Sequence, residues 1–188
     1  MALPWDFLLE PSEFVAPRLL GCYIIRELAG QTLIGKIVET EAYDQTDEAS
    51  HSYRGQTPRT DVMFGPPGRL YVYFTYGRHY CANVVTGKPG YGAAALIRAV
   101  EPLKGRVVIS RNRRDITGPD MTNGPAKLCQ AFGINKTFNG HDLRQPPLQL
   151  LLKPALPKSL IIQTKRIGIS RAQDKSWRFY IKNSAFVS

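Results

Sequence analysis

The sequence predicts a single α+β domain, residues 1–188, built on a curved antiparallel β-sheet with short flanking helices. Runs rich in β-branched and aromatic residues recur along the chain between turns, which indicates seven or eight short strands. Only brief helical patterns separate these runs. A length of 188 residues with 43% hydrophobic residues is sufficient for one substantial core.

The chain begins with a predicted short helix, which is followed by a hairpin. Residues 12–20 have a helical pattern that Pro17 should confine to one or two turns. Residues 22–28 and 32–43 are two strand-like runs around a glycine-containing turn, which predicts a β-hairpin. The polar segment 44–69 follows, and its arginine and histidine side chains favour a functional loop.

The middle of the chain predicts a second hairpin and a buried strand. Residues 70–76, LYVYFTY, give the strongest strand signal in the sequence, and residues 79–86 read as the returning strand. Residues 93–100 are apolar except for one arginine, which is typical of a central strand. We expect Glu101 and Pro102 to end that strand.

Two helices and two strands are predicted in the last part of the chain. The basic segment 104–114 has a weak helical pattern. Residues 125–132 form a second candidate helix, which begins at Pro125, a residue suited to the first turn. The runs 166–170 and 177–181 predict two further strands.

An acidic face lies at the end of the first hairpin. Because side chains alternate along a strand, Glu39, Glu41 and Tyr43 point to the same side. Arg98 is the single charge on the strand 93–100 and needs a partner, because an unpaired buried charge is very costly. The acidic face is the candidate. The alternative is an edge strand with a solvated acidic face, and the residues alone do not choose between Glu39 and Glu41 as a reacting group.

The charge balance predicts a polyanionic partner. Lysine and arginine total 25 against 15 acidic residues, a net charge of +10, which favours nucleic acid over a membrane surface, although solubility alone is the simpler explanation. We expect no membrane association, because no apolar run approaches the length of a span and the first residues do not read as a secretory signal.

Cysteine usage predicts a reducing compartment. Cys22, Cys81 and Cys129 are far apart, form no CxxC pair and lie in apolar surroundings, so reduced and buried thiols are expected. The histidines do not supply zinc spacing, and we expect neither a metal nor another cofactor. The expected location is the cytoplasm, near the nucleoid in a bacterium, or the nucleus in a eukaryote.

If the partner is DNA, the sequence offers candidates for each task. A carboxylate beside a base pocket could activate water and cleave an N-glycosidic bond through an oxocarbenium-like transition state, while Arg98 holds that carboxylate ionised. Aromatic residues could stack an extruded base, and Tyr76 at the hairpin tip could fill the gap that it leaves. The candidates for the pocket walls are Tyr43, His51 and Tyr73. The candidates for phosphate contacts are Arg54, Thr57, Arg59, Arg78, Lys127 and Lys165.

Each of these residues also has an ordinary structural explanation. Tyr73 could be a sheet residue, His51 a loop histidine, Tyr76 a packing residue and Asn83 a cap for a backbone group. Taken together, these explanations leave a charged acidic face inside a basic protein unexplained.

Seven sequence blocks then identify a family. IVETEAY, DEASH, MFGPPGRLYVYFTYG, CANVV, ALIRAVEP, GPAKL and RIGIS followed by WRFY occur in that order, from about Leu19 to the C-terminus. The chain resembles the alkyladenine (3-methyladenine) DNA glycosylases of the mammalian type, which also occur in bacteria. Departures from the family pattern include Pro17 in the first helix and Ala126 in GPAKL.

The resemblance implies a protruding β-hairpin, base flipping, and hydrolysis by an activated water without metal or covalent intermediate. It implies action on duplex DNA containing damaged purines, and it selects Glu41 as the general base. The oligomeric state is left open by the sequence, and a monomer is the simplest state for a protein that engages DNA with one wedge residue. By position, Arg98 resembles the arginine that helps hold the water, and Tyr76 the intercalating residue. The implied pocket residues are Tyr43, His51, Tyr73 and Asn83, with Asn83 crowding the amino group of guanine.

Two other functions are compatible with parts of the sequence. A non-catalytic binder of damaged nucleic acid would use the basic surface and Tyr76 but would not need Glu41 with Arg98. A bifunctional glycosylase–lyase needs an amine nucleophile, and the sequence has no lysine between Glu39 and Tyr80. The sequence does not choose among 3-methyladenine, 7-methylguanine, hypoxanthine and ethenoadenine as the preferred lesion.

Overall fold

The computed structural model describes residues 5–75 and 77–188, and an eight-stranded antiparallel sheet organises them. Three seven-residue helices lie beside the sheet, so the predicted α+β class is confirmed. The strands are β1 (Tyr23–Leu28), β2 (Gln31–Asp44), β3 (Leu70–Thr75), β4 (His79–Val85), β5 (Ala93–Lys104), β6 (Leu148–Leu151), β7 (Ile161–Thr164) and β8 (Arg178–Ile181). The helices are α1 (Ser12–Arg18), α2 (Arg106–Asn112) and α3 (Pro125–Ala131).

Strand β2 is the centre of the sheet. The strand order is β3-β4-β5-β2-β1-β6, and β8 pairs with β2 beyond the end of β1 and carries β7. The alternative of an edge strand with a solvated acidic face is therefore wrong, because β2 has neighbours on both sides. Glu39 and Glu41 are both 0% exposed.

The pairing of β2 with β5 contains two irregularities close to the acidic face. Ile37 pairs with Val100 and Glu39 with Ala99, and the register shifts again before Thr40. Val38 on β2 and Arg98 on β5 consequently have no directly opposite residue. Bulges of this kind bend and twist a sheet and re-aim side chains.

The two faces of the sheet have different environments. One face packs against the three helices and forms the main core, which includes Ile37, Val84, Ile97, Leu128 and Phe132. The Thr40 side chain belongs to this face and donates a hydrogen bond of 2.8 Å to the carbonyl of Ala16 in α1. The opposite face carries the charged residues and a small apolar cluster that contains Tyr71 and Met63.

Most predicted elements are confirmed. Helix α1 contains Pro17 and lasts about two turns, both predicted hairpins form, and α2 and α3 occupy the two predicted helical segments. The three cysteines are buried free thiols. Among residues 5–75 and 77–188, none of the helices has the length and apolarity needed to cross a bilayer.

Three predictions about strands are wrong or incomplete. Strand β5 does not stop at Pro102 but runs to Lys104, because Pro102 lies opposite Gly35 at a register shift where no ladder hydrogen bond is needed. The segment 166–170 forms bends, not a strand, because its polar groups bind β2 instead of a neighbouring strand. The four-residue strands β6 and β7 were missed in the sequence.

The close contact at Gly35 leads to a test of the fold. A Cβ atom at this position would lie 2.8 Å from Cζ of Phe132 and 2.9 Å from Cγ2 of Val100. We expect Gly35→Ala to lower the free energy of unfolding by about 1–3 kcal/mol, because the core cannot expand there without strain. Urea denaturation measures the change. Gly124→Ala is the control, since its backbone is extended and its nearest contact would be 3.6 Å; an equal loss in both variants would contradict the packing argument.

Candidate active site

The carboxylate of Glu41 is held by three hydrogen-bond donors. Oε2 accepts from the hydroxyl of Tyr43 at 2.8 Å and from Nη1 of Arg98 at 3.2 Å. Oε1 accepts from the backbone N–H of Ile167 at 2.8 Å. The donors come from β2, β5 and the loop after β7, so the position of this carboxylate depends on three separate parts of the chain.

Arg98 connects the two carboxylates of the acidic face. Its Nε atom lies 3.2 Å from Oε1 of Glu39, and the residue is only 8% exposed. Burial acts to lower the pKa of Arg98, but the attraction of Glu41 and Glu39 outweighs it, so the pKa is raised and the side chain is a permanent cation. The predicted partnership between Arg98 and the acidic face is confirmed.

Glu39 differs from Glu41 in its remaining partners. Besides Arg98, it accepts from Nε of Arg178 at 2.5 Å and from the backbone N–H and hydroxyl of Ser188 at 2.7 and 3.0 Å. Neither Arg178 nor Ser188 is one of the residues predicted to hold a base. Glu39 therefore has the surroundings of a structural ion pair, whereas the partners of Glu41 include Tyr43.

Tyr43 lies beside Glu41 and keeps its proton. Burial raises the pKa of the Tyr43 phenol well above its ordinary value, and the negative charge of Glu41 raises it further. The hydroxyl therefore remains a hydrogen-bond donor to the carboxylate at neutral pH. The guanidinium of Arg166 lies over one face of the Tyr43 ring, 4.6 Å from its centre, and helps to hold the ring in place.

His51 and Tyr73 form a second aromatic group on the same side of the sheet. Their rings meet edge to face with centroids 4.4 Å apart, and Nδ1 of His51 lies 3.0 Å from the hydroxyl of Tyr71. Burial raises the pKa of Tyr73, and the neighbouring Cys81 raises it further. Glu41, Leu96, Asn83 and Tyr71 are opposite one another across four strands, so Tyr43 and Tyr73, each two residues further on, lie on the same face of the sheet. The structure thus brings the predicted wall residues Tyr43, His51 and Tyr73 into one neighbourhood.

His51 is neutral at pH 7. The side chain keeps an exposed outer edge, but contact with Tyr71 and Tyr73 desolvates its inner part. This desolvation, assisted by the positive charge of Arg59, lowers the pKa of His51 to about 4. The wall of the pocket consequently carries no net charge at neutral pH.

Asn83 lies in β4 directly opposite Tyr71 and is 4% exposed. Its side-chain amide donates a hydrogen bond of 3.1 Å to the carbonyl of Tyr71, which is the structural role considered from the sequence. Residues directly opposite each other in a sheet share a face, so Asn83 lies on the same face as Tyr73. Its role in excluding guanine stays a prediction.

The residues expected to bind DNA phosphates are dispersed around this site. Arg59 is exposed, and its positive charge contributes to the lowered pKa of His51. Thr57 is exposed and exchanges a 3.0 Å hydrogen bond with the hydroxyl of Thr60, which orders this loop. Arg78 is exposed at the end of the β3–β4 hairpin.

Lys127 and Tyr76 were also expected to contact DNA. Nζ of Lys127 is bound to Asp120 at 2.8 Å and to Asn123 at 2.7 Å, so a phosphate would have to compete with these partners. Tyr76, the expected intercalating residue, lies outside the described residues. The DNA-backbone roles of Thr57, Arg59, Arg78 and Lys127 stay predictions.

Sequence reasoning missed an ion pair that supports Glu41. Arg166 forms a two-pronged pair with Asp47, with Nη2 2.9 Å from Oδ1, and both side chains are 0% exposed. Arg166 also donates to the carbonyl of Ala42 at 2.9 Å. The pair therefore fastens the segment that begins at Arg166 to β2, and this brings the N–H of Ile167 to Glu41. In the sequence, the only signs of this ion pair were Arg166 in the strand-like run RIGIS and Asp47 in DEASH.

The site contains no evident metal ligands. Among the described residues, histidine, cysteine, aspartate and glutamate side chains form no cluster of three or more that could hold an ion. The guanidinium groups of Arg98, Arg166 and Arg178 lie around the carboxylates. The donor set is suited to organising a carboxylate and a water.

A buried carboxylate with fixed hydrogen bonds, beside a group of aromatic side chains in a basic α+β protein, is typical of enzymes that act on a single extruded base. The chain belongs to the methylpurine-DNA glycosylase family, whose model matches residues 6–185. The resemblance noted in the sequence is confirmed.

Several relatives match over nearly their whole length. One from Carboxydothermus hydrogenoformans is 50% identical over 190 residues, covering 100% of this chain and 99% of its own. One from Methanoculleus marisnigri is 46% identical over 192 residues, covering 100% and 99%. One from Francisella tularensis subsp. tularensis is 47% identical over 176 residues, covering 92% and 91%. Each has 3-methyladenine DNA glycosylase as its provisional name.

The buried pair Arg166–Asp47 leads to a stability prediction. We expect Asp47→Asn to lower the free energy of unfolding by about 3–5 kcal/mol, because it leaves Arg166 as a buried charge without its counter-ion. Urea denaturation measures the loss. Glu10→Gln breaks the exposed pair with Arg18 and is the control, with an expected change below about 1 kcal/mol. A loss in Asp47→Asn as small as the one expected for Glu10→Gln would show that the buried pair is not important for stability.

The lowered pKa of His51 predicts a pH effect on stability. The folded protein holds His51 neutral down to about pH 4, whereas the unfolded chain takes up a proton near 6.5. The stabilisation is therefore complete above pH 6.5 and is lost as the pH falls from 6.5 to 4. We expect the Tm of wild type to fall relative to that of His51→Gln across this range. A Tm difference that stays constant with pH would contradict the lowered pKa.

Proposed function

We propose that the protein removes alkylated and deaminated purines from duplex DNA by hydrolysing the N-glycosidic bond, which leaves an abasic site. The observation that carries this proposal is the Glu41 carboxylate, which three donors hold beside Tyr43. Membership of the methylpurine-DNA glycosylase family supports the assignment. The names of the relatives give 3-methyladenine as one target base.

The extruded base would stack against Tyr43 and against the aromatic surface formed by His51 and Tyr73. A position between His51 and Tyr73 would require their rings to separate, because the centroids are 4.4 Å apart. An alkylated purine such as 3-methyladenine carries a positive charge, which the electron-rich faces of aromatic rings attract. Because His51 is neutral at pH 7, the wall does not repel this charge. The protonated phenols of Tyr43 and Tyr73 are likewise uncharged.

The attacking water would bind the free position of the Glu41 carboxylate. A carboxylate offers about four lone-pair sites, and Tyr43, Arg98 and Ile167 occupy three of them. The remaining site can accept a hydrogen bond from water and then its proton. Arg98 would hold the carboxylate in place without competing for that site.

The reaction would proceed as the bond to the base weakens. Water adds to C1′ of the sugar, the C1′–N bond breaks with its electrons moving to the base, and Glu41 takes the proton of the water. The negative charge of Glu41 stabilises the oxocarbenium character that develops at the sugar. A cationic base leaves as a neutral molecule and needs no proton donor, whereas hypoxanthine would leave more slowly.

The acidic face gives the decisive test of the mechanism. We expect Glu41→Gln to reduce the single-turnover excision rate by about 10²–10⁴-fold, because an amide cannot accept the proton of the water. Binding to a duplex with one modified purine should be retained. Gel separation of alkali-treated product measures excision, and fluorescence anisotropy measures binding.

Two matched variants complete this test. Glu101→Gln removes a carboxylate that pairs with Lys36 far from Tyr43, and it should leave the rate unchanged. Glu39→Gln should lower the free energy of unfolding, whereas the enzyme that remains folded should keep most of its excision rate. A larger rate loss in Glu39→Gln than in Glu41→Gln would transfer the role of base to Glu39. Lesion binding without excision by wild type would make the protein a damage binder.

A further inference from the structure

A basic groove lies beside the β3–β4 hairpin and is not used by the proposed chemistry. Its volume is about 640 Å³, and its lining includes Arg78 at the hairpin end and Arg113 and Arg114 after α2. Tyr80 and Ile134 contribute apolar surface. No acidic residue is part of this lining within the described chain. The groove is therefore suited to an anion that also has apolar parts.

The groove and the base pocket lie on opposite faces of the hairpin. Tyr73 pairs with Cys81 and belongs to the pocket face, whereas Phe74 pairs with Tyr80 on the other face. Tyr80 packs against the main core, as does Cys129, and both line the groove. The hairpin consequently separates the aromatic pocket from the groove.

The guanidinium groups of the groove are available to an anion in different ways. Arg113 is held in place, because Nε donates to the carbonyl of Met121 at 3.1 Å and Nη2 to that of Asp120 at 3.3 Å. Arg114 and Arg78 are exposed, and within the described chain neither side chain makes a hydrogen bond. Guanidinium groups match the geometry of phosphate oxygens.

We propose that this groove binds the sugar–phosphate backbone of the DNA strand opposite the damaged base. The inference rests on the proposed function and on the predicted entry of the β3–β4 hairpin into the duplex. When a hairpin enters a duplex between its strands, one strand lies on each side of it. The strand that delivers its base to Tyr43 and Tyr73 follows the pocket face, so the other strand meets the groove face.

The lining of the groove fits this occupant better than a free base. Phosphates would contact Arg78 and Arg114 at the rim, while Tyr80 and Ile134 offer apolar surface to the deoxyribose. Contacts to phosphates carry no sequence information, as expected for an enzyme that must work in any sequence context. The hairpin would then lie between the two DNA strands, with the damaged strand on its pocket face and the opposite strand in the groove.

The test compares duplex with single-stranded DNA. Arg114→Gln removes one exposed charge from the groove, and Arg114→Lys keeps the charge. Lys158→Gln removes an exposed charge outside the groove lining and is the matched control. Binding to a modified-purine duplex and to the same modified strand alone is measured by fluorescence anisotropy over a range of salt concentrations.

We expect Arg114→Gln to weaken duplex binding by up to about tenfold near 0.1 M salt and to reduce the salt slope by about 1. Binding to the single strand should be unchanged, Arg114→Lys should retain most of the duplex affinity, and Lys158→Gln should behave like wild type. Equal weakening on duplex and single strand would place the damaged strand in the groove and overturn the proposal. Unchanged duplex binding would overturn it as well.

Failure of the proposed function gives a different result. Wild type would then bind DNA but release no base from any modified duplex, whereas the comparison of duplex and single-strand binding would still decide the role of the groove. Excision retained in Arg114→Gln at saturating enzyme would show that the substitution left the catalytic site intact.

Discussion

The structure depends on one buried interaction, the pairing of Arg98 with Glu39 and Glu41. Two carboxylates on one strand face cannot both be buried in ionised form unless cations compensate them. Arg98 reaches both, and Arg178 completes the balance at Glu39. Because Arg98 sits at an irregularity between β2 and β5, the bend of the sheet and the position of Glu41 have the same origin.

A second buried pairing of an arginine with a carboxylate lies next to this one. Arg166 and Asp47 form a second fully buried pair, so the site contains three carboxylates and three guanidinium groups with no net charge. Charge balance allows a carboxylate to be buried without losing its charge to a proton.

Sequence reasoning predicted what depends on local pattern. The alternation of β2 placed Glu39, Glu41 and Tyr43 on one face, and Arg98, as the single charge of residues 93–100, was expected to pair with that face. The hairpins and short helices followed from composition and turn residues. These features depend on neighbours within one or two elements, where spacing along the chain carries the information.

Features that depend on distant parts of the chain could not be predicted. Asp47 and Arg166 are 119 positions apart, and the run RIGIS resembled a strand because no local feature shows that its first arginine is buried elsewhere. The continuation of β5 past Pro102 required a glycine on the partner strand at that position. Both are consequences of tertiary packing, which overrides local preference.

The charge state of the pocket also suggests how such a site would select its substrates. Tyr43 and Tyr73 keep their protons and His51 lacks one, so the wall offers aromatic surface but no ionic contact. A wall of this kind recognises shape and electron deficiency more than a hydrogen-bonding pattern. Under the proposed function, damaged bases of different structure would share the pocket, and the ease with which each base leaves would decide the rate. An uncharged normal purine would then be protected by its strong glycosidic bond, even when it enters.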